Sequence, residues 1–365
     1  MMKSWNKDRI MRRLLLDVKR LGDEVERLKN TLDRIDEKVT IKRRMYSNIP
    51  ERRGLRKSFQ KIMSDEREFE EKYRKLISGL SSQNVRQIQL MLNRMAMILD
   101  GNEERLDIYT AEERQKLNLM QEQFTNRICK ISDDLYCYDK YFLPLNLFDS
   151  SVFWSRYGIP ECETLSSIKE KSIIDVGAYV GDSSLILQDY TRDKVYAFEG
   201  AEETFRVLEK TIELNRTSRI IPIHKALTSK KGIVRLHIGE RSSCNSICER
   251  EGYEYIGEEK VESITLDEFV ESESLEVGLI KVDIEGGEQD FLKGAMRTIQ
   301  NQRPILLISI YHSAEDFFDI KPLIEQLDLG YHFKLYKPVN PAIMMETILI
   351  AEVTKSGIKV VSNEL

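Results

Sequence analysis

The chain has 365 residues, 32% of them charged and 41% hydrophobic, with a formal net charge of −5. Because one hydrophobic core seldom grows beyond about 250 to 300 residues, this length favours two folding units. The five cysteines lack CxxC spacing, which argues against a disulfide framework or a structural zinc site. No apolar run is long enough to cross a bilayer and the first ten residues lack the apolar core of a secretory signal, so we expect a cytoplasmic protein.

Near the start of the chain, apolar residues alternate at intervals of three and four, which is the pattern of a coiled coil. They are Met11, Leu14, Val18, Leu21, Val25, Leu28, Leu32, Ile35 and Val39. The a positions are mostly β-branched and the d positions mostly leucine, so the pattern favours a parallel homodimer through residues 11–39. The alternative is antiparallel packing on a later helix of the same chain.

A basic connector follows the coil over residues 42–57, and residues 1–60 together hold 18 Lys or Arg against 9 Asp or Glu. Such a segment suits contact with anionic lipid or nucleic acid. Aromatic residues are sparse there and no base-reading module is recognisable, so we expect no nucleic-acid partner. A solvated hinge is favoured over peripheral membrane contact, which stays open.

Helical periodicity continues over residues 58–133, which we interpret as a helical region after the coil and connector of residues 1–57. Thr110 and Glu113 form a capping-box signature at the start of its third helix. Residues 134–170 are rich in tyrosine and phenylalanine, which favours docking of the helices onto the next domain. A lid over that domain is the alternative.

Residues 172–199 have the pattern of the first half of a nucleotide-binding β-α-β unit. An apolar run closes on Asp175, a turn with Gly177 and Gly181 follows, and a second apolar run ends at Glu199. Glycines let the backbone approach a ligand at a helix N-terminus, and an acid about twenty residues later is placed to bind ribose hydroxyls. The third glycine of a dinucleotide fingerprint is missing, which disfavours an NAD-dependent oxidoreductase.

From residue 171 to 365, strand-like and helix-like segments alternate, which predicts an α/β domain. We expect strands near 172–176, 194–198, 219–223, 278–283, 304–311, 331–337 and 346–352. We expect helices near 182–189, 202–214, 288–300 and 316–328. No helix is expected between the last two strands, which suggests that they form an antiparallel hairpin.

Two further stretches lie where later strands end, at the edge at which doubly wound sheets bind ligands. Residues 280–288, IKVDIEGGE, carry Asp283 and Glu285, and residues 309–316, SIYHSAED, carry His312. Carboxylates together with an imidazole suit proton removal or stabilisation of a cation.

The combination of DVGAYVGDSS, AFE, SITLDEF, LIKVDIEGGEQDFLKGA and YHSAED resembles the FkbM family of S-adenosylmethionine-dependent methyltransferases over about residues 170–352. The run from Lys281 to Ala295 is the most specific part of this resemblance. The resemblance implies a Rossmann-like class I methyltransferase sheet of seven strands in the order 3-2-1-4-5-7-6. It also implies methyl transfer to an oxygen, often on a sugar or another metabolite.

The resemblance also assigns residues to the cofactor. The turn would hold the methionine end, Glu199 the ribose and Ala226 the region of the adenine, while Asp283 would lie near the reacting centre. The turn residues are Asp175, Gly177, Ala178, Gly181 and Asp182. Gly200 departs from the family, which commonly has proline after the ribose-binding acid.

An alcohol acceptor has a high pKa, so its methylation gains from a base. We expect His312 to be that base, with Asp283 or Glu285 as the alternative, either as base or as part of a metal site. The sequence does not support a divalent metal. The structural alternatives are that His312 is an ordinary loop histidine and that Glu285 caps the following helix.

These features together predict an S-adenosylmethionine-dependent O-methyltransferase that acts on a hydroxyl of a sugar, glycan or other metabolite. The alternative is a non-catalytic scaffold that binds the cofactor and assembles through the coil. No motif identifies the acceptor, although residues 239–262 and the aromatic segment before Ser172 are expected to shape its pocket.

Overall fold

The structure is a computed structural model that describes residues 53–100, 109–239, 245–250, 253–340 and 342–354. All of them belong to one unit, which begins at Glu51. The predicted coil over residues 11–39 and the connector up to residue 52 lie outside the described residues.

The α-helices are, in chain order, α1 (Arg53–Met63), α2 (Glu66–Ile77), α3 (Ser82–Leu99), α4 (Ala111–Gln123), α5 (Ser150–Phe153), α6 (Asp182–Leu187), α7 (Glu202–Leu214), α8 (Leu266–Glu273), α9 (Glu288–Gly294), α10 (Met296–Gln302) and α11 (Ala314–Glu325). The strands are β1 (Cys129–Ser132), β2 (Leu135–Tyr138), β3 (Tyr141–Leu143), β4 (Ser172–Val176), β5 (Val195–Phe198), β6 (Ile220–Ile223), β7 (Ala226–Leu227), β8 (Gly232–Gly239), β9 (Tyr255–Ile264), β10 (Val277–Val282), β11 (Ile305–Ser309), β12 (His332–Tyr336) and β13 (Ile348–Glu352). Short 3₁₀ turns lie at Thr125–Arg127, Arg156–Glu161 and Leu165–Ile168. None of the described helices has the length and hydropathy needed to cross a membrane.

Side chains cap the N-termini of α2, α3 and α4, and the cap of α4 is the one that the sequence predicts. Asp65 accepts the backbone N–H groups of the first turn of α2, and Ser81 caps α3 in the same way. At α4, Thr110 and Glu113 form the full capping box. These bonds satisfy donors that a helix cannot pair internally, so each helix begins at a defined residue.

The first helices pack on α11 of the α/β domain. Phe59 of α1 is fully buried, with its ring centroid 5.6 Å from that of Phe317 and 6.0 Å from that of Phe318. The buried Lys321 of α11 donates to the backbone carbonyl of Ser78, 2.5 Å away, just beyond the end of α2. An ammonium at that position also complements the negative end of the helix dipole. Aromatic packing and this bond join the helical region to the domain.

The helical region is shorter than the predicted residues 58–133. It begins inside the predicted connector, at Arg53, and its last α-helix ends at Gln123. Residues 129–143 instead form an antiparallel sheet, β1-β2-β3. Cys129 and Cys137 are partners in its register, and tight turns at residues 133–134 and 139–140 connect the strands. Alternating tyrosines within β2 and the paired aspartates at the first turn are strand and turn signals that end the helical pattern.

Within the described residues, the main sheet has seven strands in the order β12-β13-β11-β10-β4-β5-β6. Numbered along the chain, this is the expected order 3-2-1-4-5-7-6. Neighbouring strands pair in parallel, except that β13 is antiparallel to both β11 and β12, so the predicted final hairpin is confirmed. β4, β10, β11 and β13 are buried along their whole length, as expected for strands covered on both faces.

Two features of the domain differ from the expectation. The helix predicted over residues 288–300 is divided into α9 and α10 at Ala295, because Gly294 lies against the backbone of Thr228. A Cβ at residue 294 would be 2.1 Å from the carbonyl oxygen of Thr228.

A second sheet, β7-β9-β8, lies between β6 and α8 in the chain and packs through Leu236 and Val261 against Ala201. Its signal is the alternation of Val234, Leu236 and Ile238.

Candidate functional site

A cavity of about 520 Å³ opens at the carboxyl ends of β4, β5 and β10. The parallel sheet brings the turns after these strands to one edge, where doubly wound folds bind ligands. Five other parts of the chain complete the wall: the segment before β4 with Tyr157, the second sheet, residues 245–247, Tyr311 after β11, and the loop between β12 and β13. The cavity therefore combines the predicted motifs with segments that carry no motif.

The turn after β4 requires glycine at residue 177. Gly177 has a φ of +77°, and a Cβ there would be 1.9 Å from the carbonyl oxygen of Asp283. The buried Lys281 donates to the Gly177 carbonyl, 2.6 Å away, and pairs with Asp175 at 3.0 Å. Asp175 also accepts the hydroxyls of Ser183 and Ser184 at 2.7 and 2.6 Å. Asp175 is fully buried below the turn and fixes its shape without lining the cavity.

Two acids on this side of the cavity face the positions expected for the cofactor. Asp182, at the start of α6, is buried, and burial raises its pKa to about 7. Glu199, after β5, accepts the N–H groups of Tyr179 and Ala201, each at 2.9 Å. Burial raises the pKa of Glu199. Ala226 of β7 lies beside them in the wall.

Asp283, the first residue after β10, is at the centre of the opposite side. Its carboxylate accepts a hydrogen bond from the hydroxyl of Tyr157, and the hydroxyl of Tyr311 lies 3.4 Å away. Burial, followed by the charge of Asp283, raises the pKa of both tyrosines well above the ordinary value. Both phenols therefore keep their protons, and they hold the Asp283 carboxylate at the cavity wall.

Glu285 also lines the cavity, in a left-handed backbone conformation with φ of +57°. Its carboxylate forms an ion pair with Arg250, and its carbonyl oxygen accepts the Ser246 hydroxyl at 2.7 Å. Both partners belong to the segment between β8 and β9. Glu285 thereby connects that segment to the end of β10.

His312 is buried behind the cavity wall among three carboxylates. Its Nδ1 is 2.9 Å from Glu288, and its Nε2 is 3.3 Å from Asp283 and 3.6 Å from Glu285. Burial by itself would lower the pKa of His312, but the charges of Glu288 and Glu285 raise it well above 6.5. A protonated imidazole in this position stabilises the carboxylates and has no free nitrogen for an acceptor proton.

Asp283, Glu288 and His312 each offer a ligand atom within 4.8 Å of the others, close enough to hold a metal ion. The protein itself uses these atoms. Glu288 accepts the N–H groups of Ile284 and Gly286 at 3.0 Å, and it also contacts the histidine. This geometry accounts for the cluster as a hydrogen-bonded support for the end of β10, and no metal is proposed there.

The predicted site residues fall into two groups. Six line the cavity: Gly177, Asp182, Glu199, Ala226, Asp283 and Glu285. The others, Asp175, Ala178, Gly181 and His312, lie behind the wall. Sequence reasoning missed Tyr157, Tyr311 and Glu346 as wall residues. Tyr311 directly precedes the predicted His312, but Tyr157 and Glu346 lie in loops without any periodic or motif signal.

The sheet order and the position of the cavity define a class I methyltransferase fold, and residues 175–333 match the family model described as the Methyltransferase FkbM domain. The hexuronic acid methyltransferase AglP of Haloferax volcanii is 27% identical over 171 residues, which make up 46% of this chain and 66% of AglP. The crystal structure of the methyltransferase FkbM from Methylobacillus flagellatus KT covers 77% of this chain and 58% of its own, with 17% identity and a TM-score of 0.50. This chain thus spans slightly less than two thirds of either relative.

Residues 175–333 thus match the FkbM methyltransferase domain family, and the recognition made from the sequence is confirmed for this range. The structural likeness, at 17% identity, adds the fold. The matched range contains the turn after β4, Glu199 and the Asp283 cluster, but the segment with Tyr157 precedes it.

Proposed function

We propose that the protein transfers a methyl group from S-adenosylmethionine to a hydroxyl group of a sugar, glycan or other metabolite. The observation that carries this proposal is the cavity. It joins the Gly177 turn and Glu199 of a methyltransferase domain to the carboxylate of Asp283. AglP, which is named for hexuronic acid, supports a sugar as the acceptor.

The residues of the cavity fit the cofactor. Gly177 lines the cavity and lets the turn pack closely against the backbone of Asp283, Asp182 is placed for the ammonium of the methionine end, and Glu199 for the ribose. Phe198, Leu227, Leu236 and Ile247 supply apolar wall for the adenine. When bound, S-adenosylmethionine supplies an electrophilic methyl group.

Asp283 is the proposed base, in place of His312. Its carboxylate lines the cavity, and the imidazole of His312, whose pKa is raised well above 6.5, lies 3.3 Å behind it. The two tyrosine hydroxyls fix its orientation, so a hydroxyl of the acceptor can be aligned and can give its proton to Asp283 as the new bond forms. His312 and Glu285 then act as positioning residues.

The test replaces Asp283 by asparagine, which keeps the shape of the side chain and removes the base. Methyl transfer to a sugar acceptor should fall about 10²-fold or more, the usual contribution of a general base. The affinity for S-adenosylmethionine, measured by calorimetry, should change only a few-fold.

Glu122→Gln is the matched control, because this exposed carboxylate on α4 is outside the cavity. Unchanged turnover in Asp283→Asn would exclude Asp283 as the base. Tight cofactor binding without methyl transfer in the unmodified protein would instead favour the scaffold alternative.

We further propose that the chain forms a homodimer through residues 11–39 and works in the cytoplasm. The heptad pattern supports the dimer. The thiols Cys129, Cys137, Cys162 and Cys248 are free, which suits a reducing compartment. Membrane contact through the basic connector rests on its charge alone.

A further inference from the structure

The part of the cavity that surrounds Asp283 includes residues outside the family domain. Asp149, Ser151 and Tyr157 come from the segment before β4, and Glu346 comes from the loop between β12 and β13. The predicted cofactor residues Gly177, Asp182 and Glu199 follow β4 and β5. Asp149 borders this side, because its charge raises the pKa of Asp182, whereas Tyr157 contacts Asp283. This second group of residues therefore borders both the cofactor side and Asp283, which is where an acceptor of the methyl group has to bind.

The backbone around Tyr157 is held in an unusual conformation. Arg156, Tyr157 and Gly158 have φ values of +48°, +55° and +71° in succession. Left-handed backbone is costly for a bulky aromatic residue, so the surrounding contacts must hold it. Arg156 is bound to Tyr190 at 2.7 Å and Asp189 at 3.0 Å. These anchors place the Tyr157 hydroxyl on Asp283.

Ser151 connects the other two acids of this wall. Its hydroxyl donates to Asp149, 2.6 Å away, and it lies close enough to the side chain of Glu346 to influence the pKa of that carboxyl. Glu346 has a φ of +65°, a second strained residue that faces the same space. Four carboxylates, Asp149, Asp283, Glu285 and Glu346, thus share the wall with hydroxyl groups.

The positive charges in the described part of the wall are engaged by the protein. Lys281 is bound to Asp175 and to the Gly177 carbonyl, and Lys225 is 2.6 Å from Glu262. Burial, then the charges of Asp149 and Asp283, raise the pKa of Glu346 to about 8, although Lys337 acts in the opposite direction. Burial and the neighbouring negative charges together make one carboxyl group of the site resist ionisation.

We propose that Asp149, Ser151, Tyr157 and Glu346 form the acceptor subsite and that this subsite takes an uncharged or amine-bearing sugar and rejects a uronate. Hydroxyl and amino groups can bond to carboxylates and phenols, whereas a sugar carboxylate would add a negative charge without a partner. The proposal rests on the methyltransferase function proposed above. The acceptor proposed here differs from the hexuronic acid for which AglP is named.

The test uses three probes that differ in one substituent: methyl glucoside, methyl glucosaminide and methyl glucuronide. Their binding to the full chain, saturated with S-adenosylhomocysteine, is measured by ligand-observed NMR at pH 7.5. The first two should bind at least about tenfold more tightly than the glucuronide, since a carboxylate a few ångströms from others is strongly disfavoured in a partly buried site. Methyl transfer in an equimolar mixture of the probes should follow the same order.

The double variant Asp149→Asn with Glu346→Gln removes the Asp149 charge and the partly ionised Glu346 carboxyl, and it keeps the shapes and the cap of α5. It should reduce the discrimination against the glucuronide to about threefold or less, because the carboxylates that remain, Asp283 and Glu285, have His312 and Arg250 beside them. Glu122→Gln, on the surface of α4, should leave it unchanged. A circular dichroism melt confirms that each variant is folded.

Equal binding of the three probes to the unmodified protein, or discrimination that the double variant leaves intact, overturns the proposal. Glucuronide binding that appears only with added magnesium also overturns it, because the acids would then form a metal site. Failure of the protein to bind S-adenosylmethionine would instead reject the proposed function.

Discussion

Single residues in this site act through the space they leave and the charge they carry. Gly177 leaves room for the carbonyl of Asp283, and Lys281 holds the turn from the other side. Tyr157 and Tyr311 orient the Asp283 carboxylate, while His312 supplies a positive charge behind it. The chemistry of the cavity thus depends on residues of its wall and on His312, which lies behind the wall.

Gly177→Ala should disrupt the cofactor side of the cavity. A Cβ 1.9 Å from a backbone oxygen forces the turn or the end of β10 to move, and the residue also needs a left-handed φ. We expect the affinity for S-adenosylmethionine, measured by calorimetry, to fall about tenfold or more, since overpacking and strain each cost about 1 kcal/mol or more. Gly232→Ala is the control, because nothing lies within 4 Å of the added Cβ. Equal cofactor affinity in the two variants would show that the turn is not needed for binding.

Glu346 should make stability depend on pH. Its folded-state pKa is about 8, above the ordinary 4.5, so the folded protein retains a proton that the unfolded chain has lost between these values. The contribution of Glu346 to the free energy of unfolding is neutral below about pH 4.5. It becomes unfavourable to the folded state as pH rises and is fully unfavourable above about pH 8. Relative to Glu346→Gln, the unmodified protein should therefore lose melting temperature from pH 5 to pH 8 in scanning calorimetry. Parallel pH profiles for the two proteins would contradict the raised pKa.

At the scale of elements, α1 and α2 act as part of the domain that follows them. Phe59 lies against Phe317 and Phe318, and Lys72 of α2 pairs with Asp319 of α11 at 2.6 Å. The buried Lys321 is a further connection between α11 and α2. The helical region therefore contributes to the stability of the α/β domain, whatever else it does.

Phe59→Ala should lower the free energy of unfolding by about 3 to 5 kcal/mol, as for other large buried side chains truncated to alanine. The reason is the cavity left between α1 and α11. Urea unfolding followed by circular dichroism measures the change. Leu119→Ala, at a side chain that is 42% exposed on α4, should cost far less. Similar losses in both variants would mean that α1 is not packed as described.

At the scale of the whole molecule, the family domain at residues 175–333 obtains part of its cavity from outside its own boundaries. The segment before β4 supplies Asp149, Ser151 and Tyr157. The matched range alone would therefore lack one wall of the cavity. This arrangement explains why the family match predicts the cofactor and does not identify the acceptor.

The predicted homodimer can be tested with two chain lengths. Light scattering after gel filtration should give a dimer for the full chain and a monomer for a shortened chain that begins at Glu51, where the described unit begins. Leu28→Asp, at a d position of the heptad pattern, should also give a monomer, since a charge in the seam is unfavourable. A monomeric full chain would reject the dimer.

The sequence by itself predicted the strands of the main sheet and the turn after β4, and its resemblance to the FkbM family implied the strand order. The strands and the turn come from local patterns, because buried strands form apolar runs and the turn requires its glycines. The second sheet was missed although its alternation of Val234, Leu236 and Ile238 is visible, because most residues of β8 and β9 are exposed or half-buried and neither strand forms a continuous apolar run.

Only the tertiary structure decided how the site works. His312 seemed a base from its place after a strand, yet its protonation depends on Glu285 and Glu288, which approach it only in the folded chain. Tyr157 and Glu346 reach the same cavity from segments 189 residues apart. Charge and burial depend on distances in space, so no spacing along the chain could reveal that these carboxylates and phenols share one wall.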